Sequence, residues 1–164
     1  ISACLVGSEM CIRDSFSRGG VKGSSYDNYF ARLPLPHLVF SSLAKRWQEL
    51  APSDLAGIIQ REQIDRYLQE EGIIIDDYDL QSHTIKFTTH WQPGFVGTCT
   101  YLLRRPDWEE RFLDESSLTV RQQIALLTRL AFYTGVGYKT AMGMGQVRIN
   151  EEKKDGIGFE IIKI

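Results

Sequence analysis

Four glycines fall within eleven positions of the segment FYTGVGYKTAMGMGQVR (132–148): Gly135, Gly137, Gly143 and Gly145, arranged around Lys139 and Thr140. Backbone without a Cβ can turn sharply and come close to a ligand, so such a run can offer amide donors to phosphate oxygens, with Lys139 as an added positive charge. A triphosphate-binding P-loop opens a helix after a strand. Here a helical pattern precedes the glycines and a strand pattern follows them, which argues against nucleotide triphosphatase chemistry. The plainer reading of the same run is a connector whose glycines only allow tight turns. The three cysteines, Cys4, Cys11 and Cys99, form no C-x-x-C pair and have no histidine at ligand spacing, so the sequence indicates neither a metal site nor a cofactor.

The elements that must hold this segment follow from periodicity. Val120, Ile124, Leu127 and Ala131 repeat at helical spacing, with Thr119 and Gln122 as a capping box and Gly135 as the stop. Upstream, LPLP (33–36) prescribes an extended entry, and Pro36 opens a helix to about Leu50 with Val39, Leu43, Trp47 and Leu50 on one face. A second helix is expected over 53–71, with Ser53 as N-cap, Ile64, Tyr67 and Leu68 inward, and Gly72 as its end. The period then changes to two in HTIKFTTHW (83–91), where Ile85, Phe87 and Trp91 alternate with Lys86, Thr88 and His90. A turn at Gln92, Pro93 and Gly94 would lead to FVGTCTYLL and complete a hairpin, in which Cys99 is a buried strand thiol. QVRI (146–149) and GFEIIKI (158–164) read as closing strands. Helices set between antiparallel strands predict an α+β fold, a ferredoxin-like (RRM-like) antiparallel sheet with helices on one face.

Residues 1–15, ISACLVGSEMCIRDS, show neither periodicity, and LVGSEMCIRDS resembles translated sequencing adapter, so they read as a non-native leader outside the fold. The domain is then 16–164, beginning with a Gly/Ser-rich basic loop that carries Arg18 and Lys22. Hydrophobic residues at 43% and charged residues at 24% describe a globular chain, excluding a disordered tail or a disulfide scaffold. No apolar run is long enough to span a bilayer and no secretory signal is present, so a cytoplasmic protein without membrane contact is expected.

A net charge of −2 gives no global attraction for nucleic acid, yet the charges are segregated. Stretches 83–105 and 118–150 together hold seven basic residues and no acid, whereas 61–82 holds seven acids against two arginines. Neighbouring in space, the two basic stretches would form a strip able to follow a phosphate backbone.

In the order helix, GVGYKTAMGMGQV, strand, the glycine segment resembles the glycine-rich loop of the repeat-associated (RAMP) superfamily, and in detail the CRISPR RNA-processing endoribonucleases of the sixth Cas family. LPLPHLVFSSLAKRW (33–47), GFVG (94–97) and TGVG (134–137) agree with it. The resemblance implies two ferredoxin-like domains that bind the repeat of a CRISPR transcript and cut it without metal, through a ribose 2′-hydroxyl. It implies RNA contacts at Gly135, Gly137, Lys139, Thr140, Gly143 and Gly145, and catalytic groups in an N-terminal half that this chain lacks. The alternative is a non-catalytic RNA-binding RAMP subunit of a CRISPR effector complex. Metal-free cleavage needs a base, and the chain offers His37, His83 and His90. His83 and His90, seven apart on one strand, point to opposite faces and cannot act as a pair. His90, on the polar face with Lys86, is the better RNA contact of the two.

Overall fold

The computed structural model describes residues 2–10, 33–86, 88, 91–104, 118–137, 140–150 and 158–160. Leu35 is extended (φ −61, ψ 136), and helix α1 (Pro36–Leu50) starts on Pro36, whose missing N–H would have had no helical acceptor. Leu38, Val39, Phe40, Leu43 and Ala44 are buried on its inner side, while Leu50 at its open end is exposed. The second helix is shorter than periodicity suggests: a 3-10 turn (Ala56–Ile58) is followed by α2 (Arg61–Gln69). Between them Ile59 is extended and buried, and the N–H of Gln60 donates to Gln123 Oε1 at 2.8 Å. Burying Ile59 thus pulls the chain out of helix between Ser53 and Gln60. Ile64 and Tyr67 are fully buried, and the N–H of Gly72 donates to Tyr67 O at 2.8 Å. An added Cβ at Gly72 would lie 2.2 Å from the Tyr67 ring, while the left-handed residue that turns the chain out of α2 is Glu71 (φ 54) and not the glycine.

Strands β2 (Ile73–Lys86) and β3 (Trp91–Leu103) form one long antiparallel hairpin, in register from Ile73 opposite Leu103 to Lys86 opposite Trp91. The turn therefore lies before Trp91, not at residues 92–94, and Pro93 is the third residue of β3, near a strand start where proline is tolerated. The acidic stretch 73–82 is strand as well. Ile73, Ile75 and Leu80 face the core while Asp76, Asp77 and Asp79 are exposed, as suits a strand whose outer edge must repel other chains. Gly97 (φ 136) permits the close approach of the two strands, since a Cβ there would sit 1.9 Å from Asp79 O.

Ser2–Met10, inside the stretch read as a leader, is strand in the structure. It forms strand β1, antiparallel to β3 (Ser2 opposite Leu102 through Gly7 opposite Gly97) and to β4 (Val147–Asn150) through Leu5 opposite Ile149. A strand ladder uses backbone N–H and C=O groups, which any proline-free segment supplies, so absence of side-chain periodicity does not forbid pairing. Strand β5 (Gly158–Glu160) takes the same partners: Phe159, like Leu5, lies opposite Cys99 and Ile149. The sheet order is β1-β4-β5-β3-β2 with a further pairing of β1 and β3.

Helix α3 (Val120–Thr134) and the hairpin share one core, as the apolar stripes require. Ile124, Leu127 and Ala131 cluster with Phe95, Cys99, Tyr101 and Leu103, and the Phe40 ring meets Tyr101 edge-on at 5.5 Å. The hairpin residues that do this differ from expectation. Trp91 is 63% exposed and Ile85 only half-buried; Phe87 lies outside the described residues. Lys86 Nζ instead stands 5.5 Å from the centre of the Trp91 ring, a cation–π contact.

Candidate nucleic-acid interface

Helix α3 is built as its sequence prescribes. Gln122 N donates to Thr119 Oγ1 at 3.2 Å and Thr119 N to Gln122 Oε1 at 2.8 Å, closing the capping box. Gln123, also buried, donates to Gln63 Oε1 and to Leu118 O, each at 3.0 Å, which ties α3 to α2. The helix ends at Gly135 (φ 67), and the chain crosses to β4 through a loop in which Gly137 (φ 96), Gly143 (φ 83) and Gly145 (φ 68) all take left-handed conformations. These four positions favour glycine for two different reasons. At Gly145 a Cβ would lie 2.0 Å from Val136 O and at Gly135 one would lie 2.9 Å from Gly145 O, so the stems of the loop touch backbone to backbone. At Gly143 nothing lies within 4 Å, and φ alone selects glycine. Val136 N donates to Gly145 O at 2.8 Å to close the base, and buried Val136, Met144 and Val147 anchor both stems. Between the stems, a 3-10 turn (Thr140–Met142) is tied by Gly143 N to Thr140 O at 3.0 Å.

Sequence reading missed the side chain that organises this loop. From α1, Arg46 Nη1 donates to Thr134 O (2.8 Å) and Gly135 O (2.7 Å), and Nη2 donates to Gly137 O (2.9 Å) and Thr140 Oγ1 (3.2 Å). The available signal was a cation three residues after Leu43 and seven after Val39, on an otherwise apolar stripe.

Of the expected contact residues, Gly135, Gly137, Thr140, Gly143 and Gly145 are brought together in this one loop, while Lys139 lies outside the described residues. Lys86 is at the hairpin tip on Trp91, and His90 also lies outside the described residues. Strands β3 and β4 are both antiparallel to β1, hence parallel to one another, with Val147 level with Gly97 through Gly7. Residues preceding Val147 therefore run toward the same end of the sheet as those preceding Gly97, so the glycine loop and the hairpin tip occupy one end. Beside the loop, Phe132 and Tyr133 on the last turn of α3 are 46% and 80% exposed. His37 is exposed in the first turn of α1 and His83 is half-buried in β2. Among the described residues no group of three or more His, Cys, Asp or Glu is placed to hold a metal, and no helix is long and apolar enough to cross a membrane.

The arrangement holds features that suit a polyanion: a tight turn of positive-φ glycines, of which Gly135 and Gly145 are buried in the stems and Gly143 is exposed, exposed aromatic faces and an acid-free loop sequence. Comparison with known proteins agrees. The family model of the CRISPR-associated endoribonuclease Cas6 matches residues 12–147. A curated relative, the CRISPR-associated endoribonuclease Cas6 of Streptococcus thermophilus, is 29% identical over 124 residues, 74% of this chain and 44% of the relative. Among solved structures, a Cas6 product complex superposes with a TM-score of 0.60 at 25% identity, covering 88% of this chain and 48% of that one. Thermus thermophilus Cas6 superposes at 0.57 with 24% identity, covering 88% and 51%. The chain thus spans about half the length of the relatives it matches. With most of its length under the family model, glycine loop included, the chain belongs to the CRISPR-associated endoribonuclease Cas6 family.

Proposed function

We propose that this chain is the C-terminal, RNA-binding half of an endoribonuclease that cuts precursor CRISPR RNA at its repeats without a metal. The observation that carries the reading is the glycine loop itself: four left-handed glycines between α3 and β4, with Lys139 in the same loop. Amide donors fixed in a turn bind phosphate oxygens without regard to base, and a lysine adds charge. The fold assigned to this half is ferredoxin-like. Its support is the pairing of β1 with β3 and β4, and of β2 with β3, within one antiparallel sheet that has helices in the connections. Lys86 and the exposed faces of Phe132 and Tyr133 then extend the contact from the loop along the same end of the sheet, and His90, outside the described residues, is proposed as a further contact from its sequence pattern. A related structure is a product complex, which suits an RNA ligand here.

Catalysis is assigned to the other half. Transesterification needs a base for the 2′-hydroxyl and an acid for the leaving 5′-oxygen held together, and His37 and His83 stand on separate elements. The test incubates labelled repeat RNA with the purified chain, alone and fused to the N-terminal half of the Streptococcus thermophilus relative, each with and without a chelator. The chain alone is expected to bind and not cut; the fusion is expected to cut in chelator. Specific cleavage by the chain alone, abolished by His37→Ala or His90→Ala, would move the catalytic centre into this half.

A further inference from the structure

We infer that Arg46 is the positioning residue of the glycine loop: it fixes the loop's backbone from behind and governs RNA affinity through that shape, without itself meeting a phosphate. The effect on RNA rests on the function proposed above; the hold on the loop does not. Of its four acceptors among the described residues, Thr134 O and Gly135 O lie at the C-terminal end of α3, where carbonyls have no helical donor and the helix dipole is negative. The other two, Gly137 O and Thr140 Oγ1, lie in the loop at 2.9 and 3.2 Å. One planar guanidinium thus joins a helix end to the loop that follows it, from a helix nearly ninety residues away in sequence (88 to Thr134). Five fixed donors suit this role, and a lysine's single ammonium does not reproduce the fork.

The peptide planes whose carbonyls Arg46 binds at the helix end are also fixed through their amides, since Gly135 N donates to Ala131 O and Val136 N to Gly145 O, each at 2.8 Å. Glycines with positive φ have ready access to alternative conformations, and a loop containing four of them needs an external hold to present one arrangement. Arg46 supplies that hold, with the Val136–Gly145 bond closing the base.

The experiment uses the full chain and labelled mixed-sequence single-stranded RNA. Arg46→Lys and Arg46→Gly are compared with Lys139→Ala in affinity across a salt series and in amide hydrogen exchange. Both Arg46 variants are expected to speed exchange at 135–145 while β3 stays protected, and to weaken RNA binding on the order of tenfold with an unchanged salt slope. Adding guanidinium to Arg46→Gly is expected to restore affinity and protection where the same concentration of sodium chloride does not. A salt slope lowered by about one phosphate equivalent would overturn the inference, because Arg46 would then touch RNA directly. Unchanged exchange in the loop, or exchange raised equally through β3, would overturn it too. Faster loop exchange with RNA affinity unchanged in all three variants would leave the positioning role standing and refute the RNA reading of the loop.

Discussion

At the junction of α3 and β4 the backbone is held from several sides at once, whereas along one edge of β3 two segments address the same ladder. The junction has the Arg46 fork, the Val136–Gly145 closure, and glycines that no other residue can replace without a clash at Gly135 and Gly145. The edge has Leu5 and Phe159 each opposite Cys99 and Ile149, and Val6 and Glu160 each opposite Thr98 and Arg148. A strand edge carries one row of donors and acceptors, and β1 and β5 both address the slot between β3 and β4. Backbone pairing alone sets a register that more than one segment can satisfy. Side-chain hydrogen bonds from a distant helix and positive φ values set a conformation that one segment satisfies.

The contrast breaks most sharply at Gly145. Gly145→Val places a branched side chain where a Cβ already meets Val136 O at 2.0 Å, and a loss of about 3 kcal/mol or more is expected in denaturant unfolding. Gly143→Ala, with open space around the same kind of φ, should cost only about 1 kcal/mol, and a larger loss would show that the loop is more tightly enclosed than its free Cβ direction indicates. At the slot, Leu5→Cys and Phe159→Cys each put a thiol across from Cys99, and mild oxidation should trap a disulfide in each single variant. Trapping in one variant alone would assign the slot to one strand and end the comparison. The smallest stability effect is expected for Lys139→Ala, within about 0.5 kcal/mol, since its role is toward RNA and not the core.

What the sequence disclosed divides along the same line. Helix α3 was legible down to its cap and its stop because Thr119, Gln122, Gly135 and the stripe from Val120 to Ala131 are local signals. The start of α1 was legible at Pro36 for the same reason. The glycine loop could be recognised from its composition, and the structure places five of its expected contact residues together. Arg46 was not legible as its partner, because nothing in a local window joins residue 46 to residues 134–140. Strand β1 leaves no periodicity because its pairing uses backbone groups, and the true extent of β2 was hidden by Asp76, Asp77 and Asp79, which read as solvated charge until the edge position explains them.

The account stands most directly on the salt dependence of RNA binding by the intact chain and by Lys139→Ala. If the glycine loop receives phosphate, log affinity falls linearly with log salt in the unaltered chain. In Lys139→Ala that slope should be shallower by about 0.7, one single-stranded phosphate equivalent, with weaker affinity at every salt concentration. Superimposable lines for the two proteins would contradict it and return the glycines to the role of a tight connector between α3 and β4.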